Sequence, residues 1–291
     1  MKYLFIINPK SGVRHPLNQI KNYIKTAFEN KPNLTYKIEY TQYAGHAKLI
    51  AEQAADENTD MVVAAGGDGT VNEVCSALVH KNTAFGLIPI GSGNGFARSL
   101  NIPLNFKEAI DLLIKGTVSH IDVGQIGDKY FFGVAGFSLD AQIGAKFAEF
   151  GHRGPLPYFY IVLKEFFKYQ YEKFELTFDS KKIIINPLIL TIANTSQFGN
   201  GAIIAPQADY SDGLMDICIV DRLDFFSSIL KLNYLFNHKI QLLSTYKSYC
   251  TRKLHINRAS SFGYYHLDGE VFSGENGFDI EILPRSLSVC C

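Results

Sequence analysis

Two short glycine-rich stretches constrain this chain more than anything else in it: Gly66-Gly67-Asp68-Gly69-Thr70 and Gly91-Ser92-Gly93-Asn94-Gly95. Each follows an apolar run that reads as a buried strand, Met61 to Ala65 and Phe85 to Ile90, and each precedes a helical segment. Strand, glycine loop and helix start make a phosphate-binding arrangement, because glycine lets the backbone approach closely and free N–H groups point outward. Neither loop has the Walker lysine, and Gly91, Gly93 and Gly95 give only part of the dinucleotide fingerprint. Asp68 would repel a polyphosphate unless a cation lay between them, so a nucleotide held with Mg²⁺ is the economical reading.

Strand then helix recurs four times before residue 100. Residues 3–8 end in the turn Asn8-Pro9-Lys10-Ser11-Gly12, and a helix over 17–28 repeats Ile20, Ile24 and Phe28 at a four-residue spacing. Tyr36 to Tyr40 alternates as a strand that stops at Thr41, and 45–57 is an alanine-rich helix. The pattern predicts an open parallel α/β sheet with helices on both faces, whose ligands bind at the carboxyl ends of the strands. Asn8, Thr41, Gly67 and Ser92 all fall at such ends.

After a helix at 106–115 the texture changes. Gly127-Asp128 between two apolar runs (121–126 and 130–136) signals a hairpin. Helices are expected at 139–150, 157–171 and 225–243, and strands at 174–178, 183–193, 214–220, 253–257, 263–267 and 278–283. This half reads as an antiparallel β-sandwich-like domain with helical insertions. The expected organisation is a nucleotide-binding α/β domain over 1–120, with the last ten to fifteen residues returning to it, and a β-rich acceptor domain over 121–291, with a cleft between.

Lysine plus arginine equals aspartate plus glutamate, 28 each, which argues against a bulk electrostatic grip on nucleic acid. No apolar run reaches the roughly 18 residues that span a bilayer, and the run at 3–7 is too short for a signal peptide. Five cysteines without metal-ligand spacing suit reduced thiols, so a cytoplasmic protein is expected. With 22 Phe, 16 Tyr and no Trp, the aromatic content fits a large core and equally a site for an acyl chain.

Taken in order, Asn8-Pro9-x-Ser11-Gly12, Gly66 to Glu73 and Gly91 to Arg98 resemble the diacylglycerol kinase and sphingosine kinase catalytic domain. The likeness continues through Asp122-Val123-Gly124, Ala205-Pro206-x-Ala208-Asp209, Asp212-Gly213-Leu214-Met215-Asp216 and Asp268-Gly269-Glu270. It implies an ATP- and Mg²⁺-dependent lipid kinase. Its ATP site would be made by Asn8, Ser11, Gly12, Thr41, Gly66, Gly67, Asp68, Gly69, Thr70, Asn72, Glu73 and Ser92, with Thr70 also capping the following helix. A catalytic Mg²⁺ would travel with ATP near Asp68, and Asn94, Arg98 and Asp140 would face the acceptor. Asp140 could also simply cap a helix.

Asp-Gly at 268–269 is by itself a strong hairpin-turn signal; were the stretch extended, Asp268 and Glu270 would share one face. The resemblance tips the choice toward a general base in this block, Glu270 first and Asp268 as its close competitor. Asp209, Asp212 and Asp216 around Gly213 read either as a solvated turn or as oxygen ligands for a hard cation. The resemblance implies a structural Mg²⁺ on Asp209, Asp212 and the carbonyl of Leu214.

The aromatic helices 157–171 and 225–243 are core by default, with Lys164 and Lys168 able to face a membrane. A peripheral, transient contact with the membrane that holds the lipid is therefore expected, with a homodimer left open and no nucleic-acid partner. Two positions depart from bacterial members of the family: Gly95 stands where Asp is frequent and Ser138 where Gly is. The first loses a carboxylate near the acceptor, so the sequence does not choose between a diacylglycerol-like and a sphingoid-like lipid. The rival readings are an NAD kinase-like enzyme for a soluble acceptor and a catalytically silent nucleotide-binding module.

Overall fold

The computed structural model describes residues 1–11, 17–150, 155–199, 201–224, 231, 234–260, 263–274 and 276–291, without the side chains of 147–150 and 155–159. In chain order the elements are β1 (Lys2–Ile7), α1 (Leu17–Phe28), β2 (Thr35–Tyr40), α2 (His46–Asp56), β3 (Met61–Gly66), α3 (Asp68–Leu78), β4 (Ala84–Pro89), α4 (Gly95–Ser99) and α5 (Phe106–Lys115). There follow β5 (Val118–Ile126), β6 (Lys129–Phe131), β7 (Val134–Gly136), α6 (Leu139–Phe150), α7 (Pro155–Lys168), β8 (Phe174–Phe178), β9 (Lys181–Ile185) and β10 (Ile189–Ala193). The chain closes with β11 (Gln197–Gly199), β12 (Ala202–Ile203), β13 (Met215–Val220), a 3₁₀ turn (Ile240–Leu242), β14 (Tyr246–Thr251), β15 (Lys253–Arg258), β16 (Tyr264–Leu267), β17 (Glu270–Ser273) and β18 (Gly277–Cys290).

The chain divides into two units, Met1–Val123 with Leu283–Cys291, and Gly124–Ile282. In the first, parallel strands run in the order β2-β1-β3-β4, with Ile7 beside both Tyr40 and Ala65, and Gly66 beside Pro89. Every residue of β3 and β4 is buried, as expected of parallel strands covered on both faces. Ile20, Ile24 and Phe28 form the buried stripe of α1, and the Phe28 ring meets Tyr3 and Phe5 edge-on at 5.1 and 5.8 Å. The end of β18 adds a further parallel neighbour to β4, pairing Val289 with Phe85. Arg285, at φ 52°, donates its N–H to the buried Asp122 carboxylate at 2.7 Å, which assigns the Asp122 motif a structural task.

The second unit is antiparallel. One sheet runs β14-β13-β10-β7-β16-β17, and the other takes the start of β18 through β15 and β8 to β9. Phe131, Phe137, Phe174, Tyr265 and Phe278 meet between them with Leu190, Ile192, Ile217 and Ile256. Within this core Phe137 and Phe278 lie edge to face at 4.9 Å.

The structure corrects several expected elements. The run 130–136 is broken: β6 pairs with β5, whereas β7 joins β10 and β16, because residues 132–134 turn their N–H groups to a carboxylate described below. The run 183–193 is likewise two strands parted at Asn186-Pro187, since proline has no N–H to donate to the ladder. Of the expected helix over 225–243, residues 225–230, 232 and 233 lie outside the described residues; the described part is helical only to 236 and then breaks at a turn where His238 has φ 56°. β14 is additional, and β18 extends far beyond the expected 278–283.

Candidate functional site

Parallel pairing brings the carboxyl ends of β2, β1, β3 and β4 to one edge. Ladder bonds continue past the strand ends: Thr41 N–H donates to Ile7 O (3.0 Å), Asn8 N–H to Ala65 O (2.9 Å) and Ile90 N–H to Gly66 O (3.1 Å). Asn8, Thr41, Gly67 and Gly91 therefore stand in a row within the first unit. The two glycine loops touch there. A Cβ on Gly67 would lie 3.3 Å from the Cα of Gly91, and one on Gly93 would lie 2.8 Å from Asp68 Oδ2.

Most predicted site residues in this row are held by their neighbours. Asn8 accepts from Lys10 N–H (3.0 Å) and donates Nδ2–H to Thr70 Oγ1 (3.0 Å), while Ser11 Oγ accepts from Gly67 N–H (3.3 Å). Thr70 is a correction: it is buried inside α3, and the residue at the cap position is Gly67, with no side chain capping the helix. The start of α3 thus has no capping side chain, which suits an anion. Gly69 is exposed, and a Cβ there would meet nothing within 4 Å. Asn72 accepts from Ser76 Oγ (3.3 Å). Ser92 is exposed, and Gly12 lies outside the described residues.

Asp68 also joins the two loops. Its Oδ2 accepts from Asn94 N–H (3.1 Å) and its Oδ1 from Gly95 N–H (3.0 Å), so it locks one glycine loop onto the helix start of the other. Burial raises the Asp68 carboxyl above its ordinary value, against those same N–H donors, which lower it. A carboxylate fixed in this way suits a nucleotide-borne Mg²⁺, an ion that takes only one or two protein carboxylates. Glu73 reaches α2 instead, accepting from Gly45 N–H (2.8 Å) and Ala47 N–H (3.0 Å). Asn94, at φ 50°, donates to Gly91 O (2.9 Å), and exposed Arg98 touches Gly93 O at 3.4 Å.

In the second unit, Asp268 and Gly269 have φ 49° and 88° and form the two-residue turn between β16 and β17. This excludes the extended alternative in which Asp268 and Glu270 share a face. The Asp268 carboxylate accepts from the backbone N–H groups of Phe132 (2.8 Å), Gly133 (2.8 Å) and Val134 (3.0 Å). Glu270 opens β17 opposite Leu267 and is exposed. Of the two carboxylates in this block, Glu270 is the one whose geometry leaves it open to solvent.

Beneath the turn lies a buried pair that the spacing does not announce. Asp140 Oδ1 accepts from Ser138 N–H and Oγ–H (both 3.1 Å), its Oδ2 accepts from Thr191 Oγ1 (3.0 Å), and His266 Nε2 lies 3.5 Å away. Gly269 N–H reaches His266 Nδ1 at 3.4 Å. A Cβ on Gly136 would collide with both Asp140 and His266. Burial alone would raise the Asp140 carboxyl, but His266 with the Ser138 and Thr191 donors outweighs it and holds the group below the ordinary range.

Asp209 and Asp212 are exposed, and each folds one oxygen onto its own turn. Asp209 Oδ1 accepts from Ser211 N–H (2.9 Å) and Asp212 Oδ1 from Leu214 N–H (2.8 Å), while Asp216 is buried in β13. Among the described residues no three His, Cys, Asp or Glu side chains cluster as a metal site. Nor, among them, is any helix long and apolar enough to cross a membrane.

Residues 2–126 match the model of the diacylglycerol kinase catalytic domain, and residues 133–291 match that of the YegS C-terminal NAD kinase beta sandwich-like domain. A protein of Pectobacterium atrosepticum named "Probable lipid kinase YegS-like" is 27% identical over 98% of this chain and 94% of its own. One of the same name from Yersinia pestis is 28% identical over 98% and 95%. A diacylglycerol kinase structure from Bacillus anthracis has the same fold, with a TM-score of 0.75 at 20% identity over 99% of this chain and 96% of that one. With over half its length matched by the second model and most of the remainder by the first, the chain belongs to the lipid kinase family that joins a diacylglycerol kinase catalytic domain to a YegS-type β-sandwich domain.

Proposed function

We propose that this chain transfers the γ-phosphoryl group of ATP to a hydroxyl of a membrane lipid. ATP use follows from the family; the lipid acceptor, the Mg²⁺ requirement and the residue roles are our reading. The observation that carries it is the meeting of two glycine loops at the ends of adjacent parallel strands, locked by Asp68 and flanked by the uncapped start of α3. In such a site, catalysis comes mainly from positioning and charge neutralisation. Bound Mg²⁺ would supply the charge neutralisation at the phosphates, with Asp68 as its carboxylate ligand. Glu270 takes the proton of the attacking hydroxyl, and Asp268 acts by fixing the turn that presents it.

Contact with the lipid surface is transient and peripheral. It is supported by α7, which exposes Tyr160 (54%) and Phe167 (68%) alongside Lys164 and Lys168, an interfacial mixture of rings and positive charge. The test is incubation with radiolabelled ATP and an extracted lipid mixture, with NAD as the soluble acceptor. Label in a lipid that vanishes with Glu270→Gln, while nucleotide binding persists, is the expected result. Label in NADP would reassign the enzyme to a soluble acceptor, and unchanged turnover in Glu270→Gln would remove that residue from the role.

A further inference from the structure

One edge of the first unit's sheet is open. β2 pairs with β1 alone, and its other side has no neighbouring strand. Thr35 N–H donates to Met1 O and Thr41 N–H to Ile7 O, both at 3.0 Å, so the odd-numbered positions of β2 bond inward to β1. By the two-residue repeat of a strand, Tyr36, Ile38 and Tyr40 turn their N–H and C=O groups outward. A bare row of this kind is a template for another strand unless the sequence defends it.

β9, the edge strand in the second unit, has such a defence: it carries Lys181 and Lys182 and no acid, the usual lysine guard of an exposed edge. β2 instead places Lys37 and Glu39 on either side of Ile38. Both charged residues are exposed, and among the described residues neither has an ion-pair partner. They share one face of the strand, over a trough of about 380 Å³ that they line with Ile50, Gln53 and Glu57 of the α2 side.

Symmetry then selects a register. When two copies of one strand pair antiparallel, outward residues face outward residues, so the two-fold axis passes beside a single residue. An axis at Lys37 sets that ammonium against its own copy, and an axis at Glu39 sets carboxylate against carboxylate; like charges directly opposite destabilise a pair. Axes nearer either end of the strand shorten the overlap. An axis at Ile38 sets each Lys37 against the partner's Glu39 and lets Tyr36, Ile38 and Tyr40 exchange main-chain bonds with their counterparts. It also lays Tyr40, 41% exposed in the protomer, beside the partner's Tyr36 as an aromatic cross-strand pair.

We propose that β2 is a homodimer interface, where two copies of this chain join edge to edge across a two-fold axis at Ile38. The occupant is a second copy because the charges on this edge complement themselves. The inference does not depend on the catalytic reading above.

Sedimentation equilibrium of the full chain tests it, and the wild type should be a dimer. The axis repeats every substitution, so Lys37→Glu sets carboxylates against carboxylates on both sides of Ile38 and should weaken dimerisation about tenfold or more. Glu39→Lys should do the same with ammonium groups. Exchanging the charges within one chain, Lys37→Glu with Glu39→Lys, should restore the dimer. Mixing the two single variants, whose edges are opposite in sign, should restore it as well. A wild type that stays monomeric as concentration rises overturns the proposal. A dimer indifferent to Lys37→Glu also overturns it, since the interface then lies elsewhere. So does a loss in both single variants that neither the exchange nor the mixture recovers, which marks damage to the protomer instead of a broken pairing.

Discussion

A Cβ on Gly91 would stand 2.5 Å from the Cα of Gly67, closer than any side chain can approach a backbone. The two glycine loops at the ends of β3 and β4 are therefore packed main chain on main chain. Gly69, exposed in the first of these loops, has open space around it instead. These glycines should answer to substitution in opposite ways.

Gly91→Ala should overpack the loop contact and cost about 1–3 kcal/mol of stability, together with nucleotide affinity. Gly69→Ala should leave the melting temperature unchanged or slightly higher, because alanine is the better residue inside a helix. If phosphate oxygens approach α3 there, it should still weaken nucleotide binding. Thermal melts and titrations on the two variants check both halves.

Asp68→Asn should keep one acceptor but turn an amide NH₂ toward the N–H of Asn94 or Gly95, where the carboxylate accepts from both. Leaving one such donor unsatisfied should cost about 1–3 kcal/mol. Urea denaturation measures the loss. Mg²⁺-dependent nucleotide binding should fall further than the stability does.

Asp268→Ala removes the acceptor of three backbone N–H groups and, at φ 49°, the short polar side chain that eases the left-handed conformation. A loss of about 3 kcal/mol or more is expected. Glu270→Gln, at an exposed position two residues on, should change stability by no more than about 0.5 kcal/mol. Chemical denaturation of the pair separates the residue that shapes the turn from the one assigned the proton.

The Asp140 carboxyl is held below its ordinary value in the folded chain. The unfolded chain therefore binds the proton first as pH falls, so the stability contributed by Asp140 is present above the ordinary carboxylate value and is lost as pH falls through the lower folded one. Unfolding free energies measured from pH 7 down to about pH 3 should drop more steeply for the wild type than for Asp140→Asn. Parallel curves would show that the His266 contact contributes nothing to the linkage.

Added Mg²⁺ should raise the melting temperature if the turn at 209–214 binds the ion, and Asp212→Ala should abolish that rise. A wild-type melting temperature indifferent to Mg²⁺ in the absence of nucleotide would leave Asp209 and Asp212 as turn formers only.

What could be seen in the sequence was local. Hydrophobic period located α1 to its terminal residues, and the glycine loops marked the ends of β3 and β4, because burial and turn chemistry are written into neighbouring positions. Long-range polar contacts were not visible. The sequence shows Asp68 beside a phosphate loop but not that Asn94 and Gly95 donate to it, and it shows Glu73 in the same loop but not that it holds α2. His266 gave no signal, since its partner Asp140 lies in another part of the chain and only Gly136, kept free of a Cβ, records their meeting. The split of 130–136 followed from the same cause: three consecutive amides were claimed by a carboxylate far along the sequence.

β18 begins among the strands of the second unit and ends beside β4 in the first. The sheet of the first unit therefore acquires the strand that pairs with both β4 and β5 only after the entire β-rich unit has been synthesised. Until then Phe85 lacks its neighbour, and the Asp122 carboxylate waits, buried in prospect, for the amide of Arg285. Such late closure by distant residues slows assembly, so the first unit should be the last to become protease-resistant during refolding, although it is the first to leave the ribosome.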